Sequence, residues 1–207
     1  MSRRIALVMM LVGLGQPAMA AKNELSLEGG TNRIADPDFR TFARGAAMPT
    51  WGIRGGYAVH DRVALFGSLH TGQRGQQVSD GTANGFRTAY NATTLTLGAK
   101  ADADLGETFA PYVSAGLLLH HGLVRLDDDP NRRNNPGQIL SSSASFGATA
   151  LAGFEIRFLP GEDIQPALHV EGGLQGVLPH SYLFNGESML NMGYLGPVIH
   201  AGAGIRF

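Results

Sequence analysis

The 207-residue sequence predicts an all-β fold, an eight-stranded antiparallel up-and-down transmembrane β-barrel occupying residues 21–207. Three observations carry that prediction. The last stretch alternates: Leu195, Pro197, Ile199, Ala201, Ala203, Ile205 and Phe207 make one face, opposite Tyr194, Gly196, Val198, His200, Gly202, Gly204 and Arg206. A period of two sets these groups on opposite sides of a strand, in two different surroundings. Seven further segments repeat the pattern, and the connections between the eight alternate long and short, which is the layout of a barrel in a membrane. Finally, the chain holds 29 Gly, and nothing after its first twenty residues nears the run of about 20 apolar residues that a membrane helix needs. Helical spacing with caps is not found, so strands must do any spanning.

Residues 1–20 read as a secretory signal peptide. Ser2-Arg3-Arg4 is the basic region, Ile5 to Gly15 the apolar one, and Ala18-Met19-Ala20 a small-residue site with cleavage expected after Ala20. Arg3 and Arg4 leave with it, so 16 basic residues become 14 against 17 acids, a net charge of −3. That balance excludes a nucleic-acid partner. With no Cys in the chain, neither a disulfide nor a lipidated cysteine is expected. The rest makes one domain.

The predicted strands follow in order. Glu24–Gly30 directs Leu25, Leu27 and Gly29 one way and Ser26 and Glu28 the other, and a long polar loop, Thr31–Thr50, follows. Trp51–Val59 and Val63–Thr71 form a pair around the His60-Asp61-Arg62 turn, and Gly72–Ala89 is the second long loop. Tyr90–Ala103 and Tyr112–Leu126 are joined by the short Asp104–Pro111 link; Asp127–Ser143 is the third long loop. Ala144–Phe158 and Ala167–Leu178 turn at Pro160-Gly161, and the fourth long loop, Pro179–Gly193, precedes the closing strand. An even strand number lets the wall close without an unpaired edge.

Alternation alone fits a soluble lipocalin-like periplasmic binding barrel as well, apolar inside and polar outside. The polar face decides for the membrane. It is crowded with Gly (Gly52, Gly56, Gly98, Gly116, Gly147 and Gly153 among them), as suits a narrow interior holding a few large polar side chains. Trp51, Tyr57, Tyr112, Phe158 and Phe207 near strand ends read as interface aromatics. Eight strands enclose space that side chains can just fill, so a plugged lumen is expected. The polar network assigned to it comprises Glu28, Arg54, Lys100, Glu155, Arg157, His169, Glu171, His200 and Arg206, with Asp102, His70 and His120 nearby. Its acids and bases balance, as buried charges must.

The signal, the eight alternating segments, the long-short rhythm and the terminal GAGIRF resemble the small Gram-negative outer-membrane barrels of the OmpA membrane-domain and opacity-protein type, in the porin family. The resemblance implies a monomer among outer-membrane lipids and lipopolysaccharide, with Phe207 read by the barrel-assembly machinery. It implies a role in envelope integrity, surface adhesion or limited small-solute passage. No peptidoglycan-binding domain follows the last strand, so tethering is not expected.

Some barrels of this size modify lipid A, and the PagL-like deacylases use Ser, His and Glu on the lipid-facing wall. A hydroxyl nucleophile needs an imidazole base, and the imidazole a carboxylate. The candidates are His121 and Ser142, with no carboxylate nearby on the same face, and the His180-Ser181 pair at the start of the fourth loop, which lacks the one-residue separation of His and Ser that the deacylase resemblance implies. Asp127, Asp128 and Asp129 supply hard oxygen ligands for a divalent cation but lack the calcium-loop spacing. No cofactor motif is found, so none is expected.

Overall fold

The computed structural model describes residues 23–43, 45–78, 86–103, 108–127, 138–184 and 187–207. The expected signal peptide, Asp128 and Asp129 lie outside them. Eight strands form one closed antiparallel barrel: β1 (Glu24–Arg33), β2 (Ala47–His60), β3 (Val63–Val78), β4 (Phe86–Asp102), β5 (Phe109–Asp127), β6 (Gln138–Arg157), β7 (Gln165–Phe184) and β8 (Glu187–Arg206). Each strand pairs with its neighbours in sequence, and β1 pairs with β8, with Leu27 opposite Ala203. The seam is tied off by Asn23 and Phe207, whose backbone N–H groups donate to each other's carbonyls at 2.8 and 3.0 Å. The short turns and both strand termini share one end, the turn end; the other is the loop end.

Around the turn-end half the wall is apolar outside and polar inside. Leu27, Trp51, Leu97, Leu117 and Leu195 stand exposed, while Glu28, Arg54, Lys100 and Glu171 are buried. Water would not tolerate that exterior; a bilayer requires it. Toward the loop end the polarity inverts along the same strands. Gln73, Arg125, Ser181 and Asn191 face outward, and Tyr90, Val124, Tyr182 and Met192 face inward.

The inversion explains where the sequence reading falls short. Two of the four long loops are largely strand and a third is strand at both its ends: β3 runs on to Val78, β5 to Asp127 and β7 to Phe184, and β4, β6 and β8 begin at Phe86, Gln138 and Glu187. Strands β6, β7 and β8 each have 20 residues, about twice the 9–11 that cross a bilayer. Their loop-end halves project into water, where a polar outer face reads as loop although the backbone ladder continues. Tyr112 is a second correction. It alternates with the outward Val113, so it points inward and is not an interface aromatic, whereas Trp51, Tyr57, Phe158 and Phe207 are exposed.

A third correction is a helix in the first loop, α1 (Pro37–Ala43). Asp36 caps it, its Oδ1 accepting from the Phe39 N–H at 3.0 Å, and Pro37 occupies the first helical position, where a missing N–H costs nothing. Seven residues are too few to show a helical period. The helix lies across the loop-end mouth, with Phe39 and Ala43 packed into a core that includes Tyr90, Leu118, Tyr182 and Tyr194. The Asp36 Oδ2 also accepts from the Gly193 N–H at 3.3 Å, pinning the cap to β8.

Candidate functional site

The interior is the site, and three tiers of side chains occupy it from the turn end to the loop end. In the first tier Lys100 on β4 donates to Glu24 on β1 at 2.7 Å and to Glu155 on β6 at 3.1 Å, its ammonium 4.6 Å from the centre of the Tyr112 ring. Glu155 also accepts from Arg157 at 2.7 Å and from Arg206 at 2.8 Å, and Arg157 reaches Asp102 at 2.9 Å. Each carboxylate here meets at least one cation. Such pairing is what makes buried charge tolerable.

In the second tier Arg54 on β2 spans the barrel to Glu171 on β7 in a two-pronged pair, one arm at 3.0 Å, and its Nε lies 3.1 Å from Glu28. A planar guanidinium matches a carboxylate in this way, so the pair fixes orientation as well as charge. Glu171 further accepts from the Tyr112 hydroxyl at 3.0 Å and faces His200 Nδ1 at 3.4 Å. Glu28 holds His70 Nε2 at 2.8 Å through one oxygen and His169 Nε2 at 3.0 Å through the other. The nine residues assigned to the network from sequence all lie inside, in these two tiers. Tyr112 and Glu24 complete them; Glu24 has the same strand parity as Glu28 and was legible on that ground.

The third tier is built mainly of histidine and tyrosine. His120 Nε2 lies 2.7 Å from the Tyr90 hydroxyl and its Nδ1 3.0 Å from the Thr94 hydroxyl; the Tyr90 and Tyr182 hydroxyls are 3.3 Å apart. His180 Nε2 is 2.9 Å from the Tyr182 hydroxyl, and its Nδ1 donates to the Leu178 carbonyl at 3.0 Å. Gln175 donates to the Tyr194 hydroxyl at 2.8 Å, and the Phe39 ring meets the Tyr90 ring edge-on, centroids 5.3 Å apart. Sequence parity places Tyr194 inward but gives no sign that Tyr90 and Tyr182 meet it.

The hydrolytic candidates do not assemble. His121 and Ser142 both face outward, and His121 stands opposite Thr93 and Ala144 while Ser142 stands opposite Leu123; none of these partners is an acid. His180 and Ser181 lie within β7, not in a loop, and point to opposite sides of the wall. His180 is the inward one because of a bulge. Leu178 and Pro179 together oppose Gly193, both face outward, and the extra residue turns His180 into the lumen. Asp127 ends β5 opposite Arg87; its two neighbours lie outside the described residues.

Residues 5–166 match the family model described as "Outer membrane protein beta-barrel domain". No curated protein sequence matches significantly. Among solved structures the chain is similar to Ail, the attachment invasion locus protein of Yersinia pestis, at 14% identity and a TM-score of 0.50, over 91% of this chain and 100% of that one. It is also similar to Neisserial surface protein A, at 13% identity and a TM-score of 0.48 over 89% and 95% of the two chains. The N-terminal β-barrel domain of Pseudomonas aeruginosa OprF aligns at 18% identity and a TM-score of 0.40, over 90% and 99%.

Proposed function

From the premise that the chain belongs to the outer membrane protein β-barrel domain family, we propose that it is a non-conducting, monomeric barrel of the bacterial outer membrane whose work is done at its loop end. The exposed surface there serves envelope integrity and adhesion, and the barrel is an anchor for it. The observation that carries this reading is the filled interior. Ion pairs cross the lumen in two tiers, α1 covers the loop-end mouth, and the cavity beside Arg54, Lys100 and His169 has about 10 Å³, room for about one water. A solute cannot pass such a barrel without breaking those pairs. Export is proposed to remove residues 1–20, and the Phe207 end to be handed to the assembly machinery before the strands zip closed among lipopolysaccharide and phospholipid.

The test is osmotic. Proteoliposomes carrying the purified barrel are expected to shrink and stay shrunken in a small sugar, as empty liposomes do. Swelling at the rate of a known porin would overturn the reading. The same cells, with and without the chain, are expected to give identical lipid A mass spectra. A change of one acyl chain would make the wall around His121 and Ser142 an enzyme instead.

A further inference from the structure

We propose that Glu28, His70 and His200 form a binding site for a divalent transition cation of the zinc type in the middle of the barrel. One nitrogen of each imidazole and a carboxylate oxygen of Glu28 lie within 4.8 Å of one another, and all three residues are buried. Two imidazoles and a carboxylate are a donor set that such cations prefer, with a fourth position left for water.

The independent observation is an orphan atom. His200 Nδ1 faces the Glu171 carboxylate at 3.4 Å, where it can only donate; in the neutral imidazole the lone pair is then on Nε2. That Nε2 is buried and without a hydrogen-bond partner, on a residue 5% exposed. A carboxylate behind one ring nitrogen and a metal on the other is the usual support of a ligating histidine. Glu28 has outer support as well: Arg54 and His169 hold its Oε1 at 3.1 and 3.0 Å, and its Oε2, 2.8 Å from His70 Nε2, is the oxygen on the side of the site.

The wall is shaped for the two rings. His70 leans from β3 over Gly52 of β2, and His200 leans from β8 over Gly30 of β1. A methyl group at Gly52 would come within 2.6 Å of the His70 ring, and one at Gly30 within 2.4 Å of the His200 ring. The rings therefore rest on bare backbone, stacked 4.6 Å apart at 12°. Zinc–nitrogen bonds of about 2.0–2.1 Å require them to splay about their terminal torsions, and Gly52 and Gly30 have no side chain to stand in the way. This inference does not rest on the function proposed above.

The test uses untagged, refolded barrel in detergent micelles, with cobalt(II) as the probe for its visible spectrum. Expected is saturable one-to-one binding, reversed by zinc, with the absorption of a four-coordinate site. His200→Ala and His70→Ala are each expected to weaken it by at least roughly ten- to hundredfold, the loss that even outer-shell changes produce. His60→Ala, at the exposed turn end, should leave it unchanged, and the unboiled gel mobility shows which variants are folded. If a variant fails to fold, wild-type binding decides: absence of saturable binding below millimolar cobalt means the tier holds protons only and overturns the proposal. Binding that survives both histidine substitutions, or vanishes with His60→Ala, overturns it too.

Discussion

Toward the turn end, Lys100, Glu155, Arg157 and Arg206 join across the barrel by charge, whereas toward the loop end Tyr90, Tyr182, Tyr194 and Phe39 join by packing rings. The same strands build both halves. What differs is the medium outside. Where lipid surrounds the wall, apolar side chains gain nothing by facing inward, and the strands send their polar residues there. Where the wall projects into water, the hydrophobic effect acts as in a soluble protein, and the apolar residues face inward under α1. The barrel is thus a membrane protein in one half and a small soluble core in the other, and each half should fail in its own way.

The largest effect is expected in the ionic half. Glu171→Ala leaves Arg54 buried without its two-pronged partner, a loss of about 3–5 kcal/mol in urea unfolding of the refolded protein. Replacing both, with Arg54→Met and Glu171→Leu together, is expected to recover most of that loss; an equally unstable double variant would show that the charges themselves hold the fold. In the aromatic half, Phe39→Ala removes a fully buried ring, worth about 3 kcal/mol or more, but from α1 alone. The expected outcome is tryptic cleavage at Arg40 with the strands still protected; barrel unfolding at that step would contradict the division into two halves. Smaller again is Gly122→Ala. A methyl group there would sit 1.8 Å from the Tyr182 hydroxyl, so about 1–3 kcal/mol is lost, while Gly29→Ala, whose methyl would meet only the Thr50 carbonyl oxygen at 4.0 Å, stays near zero. The smallest change is at the β6–β7 turn, where Leu159 holds φ at 55°; Leu159→Gly is expected to gain up to about 1 kcal/mol in the same unfolding measurement.

The division also sets what the sequence could tell. Parity alone places Glu28, Arg54, Glu171 and Arg206 inside, because the turn-end half follows one rule throughout. It cannot pair Arg54 with Glu171, or Lys100 with Glu24, since those partners sit on strands that are not neighbours and meet only across the lumen. At the loop end the rule reverses, so segments such as Gly72–Val78 and Pro179–Phe184 read as loops while they are strands. His180 was misplaced for a second reason: the bulge at Leu178 and Pro179 shifts the parity by one, and only the register shows it. The helix α1 stayed hidden inside the first polar loop because its seven residues make about two turns, too few to show a period.

The measurement that bears most directly on this account is single-channel recording in planar bilayers. The intact protein should leave the membrane at its baseline current, and the Glu171→Ala variant, if it folds, should add at most brief openings. Steady stepped conductance from the intact protein would mean that the ion pairs and the aromatic core do not fill the barrel, and the account would fall with them.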